Sequence, residues 1–159
     1  MSDALNAADP SKPAVKPKPV RDPALYRGEA VMDTIGDNAK RVATAKALGQ
    51  VIVKLTGNPA AITNTVIRRA MPTANSLVAD TNTRQDGDSA SGMPIYKNVL
   101  VVSFDPDAVD ALIGASGLKY WTGARPRPIL WLVIDDGRGP RLVTSQQLSL
   151  VRPLAMRGL

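Results

Sequence analysis

Neither cysteine nor histidine occurs among the 159 residues. Composition alone therefore excludes thiolate and imidazole nucleophiles, a serine-histidine-aspartate triad and the ordinary zinc sites. The lack of cysteine does not specify a compartment, because a domain with an adequate core does without disulfides in oxidising and reducing surroundings alike. Aromatics are few, with a single Phe at position 104. The segment from Pro94 to Phe104 also lacks the basic-aromatic signature of an RNA-recognition sheet. The longest apolar run, Ile129 to Ile134, is far shorter than the roughly 20 residues a helix needs to cross a bilayer. The N-terminus lacks the basic-then-apolar pattern of a signal peptide.

The formal net charge is +6. Such an excess favours nucleic acid or an anionic surface when it gathers on one face. Here Lys and Arg are spread between the N-terminal stretch, the helices and a connector, which places nucleic-acid binding below protein interaction.

Residues 1–23 carry Pro10, Pro13, Pro17, Pro19 and Pro23 among Ala, Lys and Asp. Without hydrophobic periodicity they read as an extended Pro/Lys-rich tether. The alternation from Leu25 to Met32 predicts a first strand. Asp37 then caps a helix with Ala45, Leu48, Ile52 and Leu55 on one stripe, widened by Val42 and Val51 and closed by Gly57. Asn58-Pro59 restarts the chain as a shorter helix to Met71, with Arg68 and Arg69 on its exposed side. A hairpin follows, with a wide loop at Asp86 to Gly92 and a long second strand from Pro94 to Phe104. Tyr96, Leu100, Val102 and Phe104 lie on one face of that strand and Val99 and Val101 on the other. Asp105-Pro106 opens a third helix, ended at Gly117 with Leu118 folding back. Ile129 to Ile134 predicts a buried strand, and Arg141 to Val143 a further one.

The order β-α-α-β-β-α-β, with that further strand, predicts an α+β fold: a mainly antiparallel sheet with helices packed on one face, broadly ferredoxin-like. Residues 24–122 form the α+β domain. Residues 123–159 are a connector with strands that either complete it or start a second α/β unit.

Several phrases occur in a set order: Leu25-Tyr26-Arg27-Gly28-Glu29, Ala47-Leu48 through Val53-Lys54-Leu55-Thr56-Gly57-Asn58-Pro59, and Phe104-Asp105-Pro106 with Val109-Asp110. Leu118 to Trp121, Arg125-Pro126-Arg127-Pro128 with Trp131, and Arg157-Gly158-Leu159 complete the set. Together they resemble the bacterial domain-of-unknown-function family 2066 over about residues 24–159. That resemblance implies no assigned activity. It implies exported proteins of Gram-negative bacteria, hence the periplasm or cell envelope, although this N-terminus departs from their signal-peptide pattern. It also implies that the chain stops short of a longer protein.

The candidate site residues are Tyr120, Trp121, Arg125 and Arg127, with Trp131 nearby, because aromatics beside arginines bind carboxylates, phosphates or stacked bases. The competing structural reading buries Trp121 and Trp131 in a core or domain junction. Asp135 and Asp136 end a strand where paired carboxylates hold Mg²⁺ or Ca²⁺, yet Asp-Asp-Gly is also ordinary turn chemistry. Asp86 and Asp88 lack the full calcium-loop spacing. Gly114 to Gly117 and Gly137 to Gly139 are misplaced for phosphate loops, and Ser103, Ser145 and Lys119 lack the spacing of a serine-lysine pair. The sequence thus predicts no catalytic set, no cofactor and no metal. The leading expectation is a non-enzymatic accessory or protein-interaction domain of the bacterial cell envelope, with an unidentified protein as partner. The alternatives are a cytosolic basic nucleic-acid-binding module and, more distantly, a metal-assisted hydrolase using Asp135 and Asp136.

Overall fold

The Asp22 carboxylate accepts from the Ala24 N–H at 3.0 Å and opens a 3-10 turn over Pro23–Tyr26. This turn occupies the start of the expected first strand and buries Leu25 and Tyr26, so strand β1 runs Arg27–Met32 instead. In the computed structural model of the protein, residues 21–88, 95–123, 129, 131–135 and 137–143 are described. The expected tether therefore lies outside the described residues except at Arg21, Asp22 and Pro23, which join the folded part.

Helix α1, Asp37–Thr56, ends where Gly57 adopts the left-handed conformation (φ 67°) and returns its N–H to the Val53 carbonyl at 2.8 Å. Asp37 is its first residue rather than its cap, which is Gly36. The buried stripe runs through Ala43, Thr44, Ala47, Leu48, Val51, Ile52 and Leu55, turned away from the expected Val42 and Ala45. Gly28 supplies the reason. A Cβ there would fall against the Ala47 carbonyl oxygen and 2.8 Å from its carbon. Strand and helix backbones touch at this point, small residues take the contact, and Val42 stays 47% exposed.

The expected second helix is three shorter pieces: a 3-10 turn at Pro59–Thr63, helix α2 at Thr65–Ala70 and a kinked 3-10 segment at Met71–Leu77. Asn64 interrupts it by capping anew, accepting from the Val66 N–H at 2.9 Å. Arg68 and Arg69 are exposed, as the pattern predicts.

Strands β2, Val78–Asp88, and β3, Ile95–Phe104, pair antiparallel, and β1 pairs antiparallel with the other side of β3, so the sheet order is β1-β3-β2. Leu100, Val102 and Phe104 bury against α1 and helix α3, Pro106–Ala115, in one core with Ala30, Met32, Val109 and Ile113. Tyr96, on the same side of β3, lies beyond that layer and is exposed. Asp105 caps α3 by accepting from the Asp107 N–H at 2.9 Å, and Gly117 (φ 71°) ends it, with Leu118 packed on the core. The fold is the expected α+β arrangement with helices on one face of an antiparallel sheet.

On the other face Val99 and Val101 are also buried. Arg84, in register with Val99, reaches over β3 to Glu29, in register with Val101, and bonds it at 2.7 Å. Its aliphatic stem and ion pair form a strap across the two valines.

The strand expected at Ile129 to Ile134 is not buried. Strand β4 is Val133–Asp135 and, among the described residues, pairs with β5, Pro140–Leu142, as a separate two-stranded sheet. Among the described residues neither face of this hairpin is covered by a helix, which leaves Ile129, Trp131 and Val133 exposed.

Candidate functional site

After Gly117 the chain returns along the C-terminal end of α1. The Trp121 N–H donates to the Leu55 carbonyl at 2.9 Å, and the Thr122 carbonyl accepts from the Asp22 N–H at 3.2 Å. Entry and exit of the domain are therefore bonded to one another, and Tyr120 and Trp121 sit at that junction.

A polar cluster, buried at Tyr26 and Asp110 and open to solvent at Asp107, supports the junction. The Tyr26 hydroxyl donates to Asp110 Oδ1 at 2.8 Å, Arg21 Nη2 pairs with Asp110 Oδ2 at 2.8 Å, and Arg21 Nη1 pairs with Asp107 Oδ1 at 2.5 Å. Burial pushes the Tyr26 phenol well above its ordinary value, reinforced by its hydrogen bond to Asp110 and by that carboxylate's charge. The hydrogen bond to Asp107 raises Arg21 likewise. Each oxygen of Asp110 is spent on a partner, so the cluster acts as a staple joining residue 21 and the 3-10 turn to α3.

Of the four candidate residues, the structure describes two. Tyr120 is 39% and Trp121 59% exposed. Arg125 and Arg127 lie outside the described residues. Neither tryptophan is a core residue, since Trp131 is 73% exposed as well, while the junction half of that reading describes the place of Trp121. Trp121 is nonetheless fixed: its main-chain N–H is held by Leu55, and its indole Nε1 donates to the Gly123 carbonyl at 2.9 Å. With both donors satisfied, its ring offers apolar area at little conformational cost.

Of the acidic candidates, Asp135 holds its turn. Asp135 Oδ1 accepts from the Gly137 and Gly139 N–H groups at 2.9 and 3.2 Å. Asp86 belongs to β2 and holds Arg84 Nε at 2.8 Å. Asp136 and Ser145 lie outside the described residues. Among the described residues no three acidic side chains cluster as a metal site would require, and no helix is long and apolar enough to cross a membrane.

Arg21, Tyr26 and Asp110 are not legible as a unit in the sequence, since 84 positions separate Tyr26 from Asp110. The only local signal was Asp110 on the otherwise apolar side of α3, one residue after Val109.

Fold and site together define a small α+β domain with joined ends and a fixed exposed tryptophan beside them. A family model, a domain of unknown function (DUF8605), matches residues 21–122. That span is well over half of the chain, and the protein belongs to this family. It begins at the staple residue Arg21 and ends at Thr122, the residue that closes on Asp22. No curated protein and no solved structure matches the chain.

The resemblance to family 2066 is overturned, since no match to that family is found. The phrases that carried it are largely helix punctuation: Gly57 is a left-handed terminator, Asn58 caps the next turn, and Asp105-Pro106 opens α3. Such grammar recurs wherever helices start and stop. Other phrases, from Arg125 onward, lie beyond the matched span. The envelope placement rested on that resemblance and goes with it.

Proposed function

We propose that the protein is a non-enzymatic protein-interaction domain whose partner surface centres on Tyr120 and Trp121 and continues into the Arg125 and Arg127 connector. The observation that carries this reading is Trp121. Its backbone and indole N–H are tied down within the domain while most of its ring faces solvent, which suits an anchor for a partner's pocket. Tyr120 beside it, 39% exposed, widens the apolar area.

Charge distribution favours a protein over nucleic acid as partner. The outer face of the sheet carries Arg27, Arg84 and Lys97 together with Glu29, Asp80 and Asp86, so both signs alternate there. Nucleic-acid affinity draws on basic groups aligned along one surface.

Crosslinking in cells that express the full chain tests the proposal, comparing the natural protein with Trp121→Ala and Arg125→Ala variants. Partners enriched by the natural protein are expected to be lost from the Trp121→Ala variant, with its far-ultraviolet circular dichroism unchanged. Retention of every partner by both folded variants contradicts the proposal. So does tight oligonucleotide binding by the natural protein that falls steeply with salt and requires Arg125.

A further inference from the structure

The two edges of the three-stranded sheet are finished differently. Side chains of α1 close the β1 edge. The Glu29 N–H donates to Gln50 Oε1 at 3.0 Å, Gln50 Nε2 donates to the Glu29 carbonyl, and Lys54 Nζ donates to the Arg27 carbonyl at 2.7 Å. The Gln50 amide thus stands in for a neighbouring strand, a device that prevents edge-to-edge pairing.

The β2 edge has no such cover among the described residues. Because Glu29 turns its backbone groups away from β3, the β1 ladder runs through Gly28 and Ala30, and Val99 and Val101 direct theirs toward β2. Asn82 and Arg84 answer them, so Thr81, Thr83 and Gln85 point their N–H and C=O groups at the open edge. All three side chains are exposed. The strand contains neither lysine nor proline, two of the devices that blunt an edge, and its bulge, between Val78 and Asp80, lies outside the segment from Asp80 to Gln85.

We propose that a second copy of this chain occupies the edge, β2 pairing antiparallel with its own copy about a twofold axis at Asn82, to make one continuous six-stranded sheet. Charge selects the register. An axis at Thr83 sets Asp80 opposite Asp86, and an axis at Arg84 sets that residue against itself. An axis at Gln85 offers Arg84 only Asp86, which it already holds within the chain. The axis at Asn82 places Arg84 opposite Asp80, twice by symmetry, and Thr81 opposite Thr83. Asp80 is exposed and has no ion pair among the described residues. Arg84 uses Nε and Nη2 on Asp86 and Glu29, so Nη1 remains to meet it. Opposite charges and paired β-branched residues across strands are both favourable. The contact is small, so the dimer depends on concentration.

The absence of native cysteine makes a single introduced one an unambiguous reporter. At the axis, Asn82 and its copy form a non-hydrogen-bonded pair with Cα atoms about 4.5 Å apart, within disulfide range. The two copies of Gln85 lie about 20 Å apart, six residue steps along the strand. Under mild oxidation the full-length Asn82→Cys protein is expected to form reducible dimers at least tenfold faster than Gln85→Cys. Sedimentation of the natural protein is expected to show a monomer-dimer equilibrium, weakened about tenfold or more by Asp80→Lys, which sets like charges opposite at two places. Equal crosslinking rates at 82 and 85, a natural protein that stays monomeric at all concentrations, or a dimer indifferent to Asp80→Lys would each overturn the proposal.

Discussion

The Tyr26 hydroxyl donates to Asp110 at 2.8 Å across 84 positions of sequence, and Arg21 takes the other oxygen of the same carboxylate. Three distant residues thereby fix where the domain begins. Arg21 is the first residue matched by the family model, and Asp22 beside it bonds the last, Thr122. Domain boundary and polar cluster are one structural feature, and it holds the 120–122 segment in place.

Replacing Tyr26 by Phe removes a hydrogen bond to a buried carboxylate while keeping the ring. A loss of about 2 kcal/mol is expected, the range for hydrogen bonds to charged groups. Asp110→Ala leaves the buried phenol without its acceptor and takes one of two carboxylates from Arg21, so its cost should be larger. Urea denaturation of the three proteins, with slopes compared, measures both effects.

The raised Tyr26 phenol sets an alkaline limit. Its folded-state value lies above its unfolded value of about 10. The protonated phenol's contribution is thus complete below pH 10 and declines as pH rises from there toward the folded-state value, because the unfolded chain ionises first. Stability against urea should fall between about pH 10 and 12, and fall less steeply in Tyr26→Phe. An identical alkaline slope in both proteins would contradict this origin.

Gly28 is the point where β1 rests on α1. Gly28→Ala drives a methyl group into the Ala47 carbonyl, backbone that has no rotamer to yield. The expected cost is about 3 kcal/mol or more, at the upper end for overpacking. The measurable sign is a lower thermal midpoint with the same secondary structure.

Much of this architecture is legible in local chemistry. Gly57, Asp105-Pro106 and Gly117 mark helix ends by conformational preference alone, and the doubly apolar run Val99 to Val102 marks the central strand. What local chemistry does not specify is contact between distant segments. Hydrophobicity favours Val42 over Ala43 for the core, and only the approach of Gly28 reverses that choice. Asn64 was a readable cap signal that splits the second helix. The Gln50 closure of β1 and the Arg84 strap both require the strand register, which no short window contains. Of the candidate site, the aromatic pair lies together at the domain junction, while its arginines lie outside the described residues.

Trp121 as a partner anchor is tested most directly by photocrosslinking in living cells. A photoreactive phenylalanine analogue is placed at Trp121 in one strain and at Ile35, exposed on the loop before α1, in another. The prediction is a discrete protein adduct at Trp121 that is absent at Ile35. The same adducts at both positions, or none at Trp121, would contradict an interaction surface there.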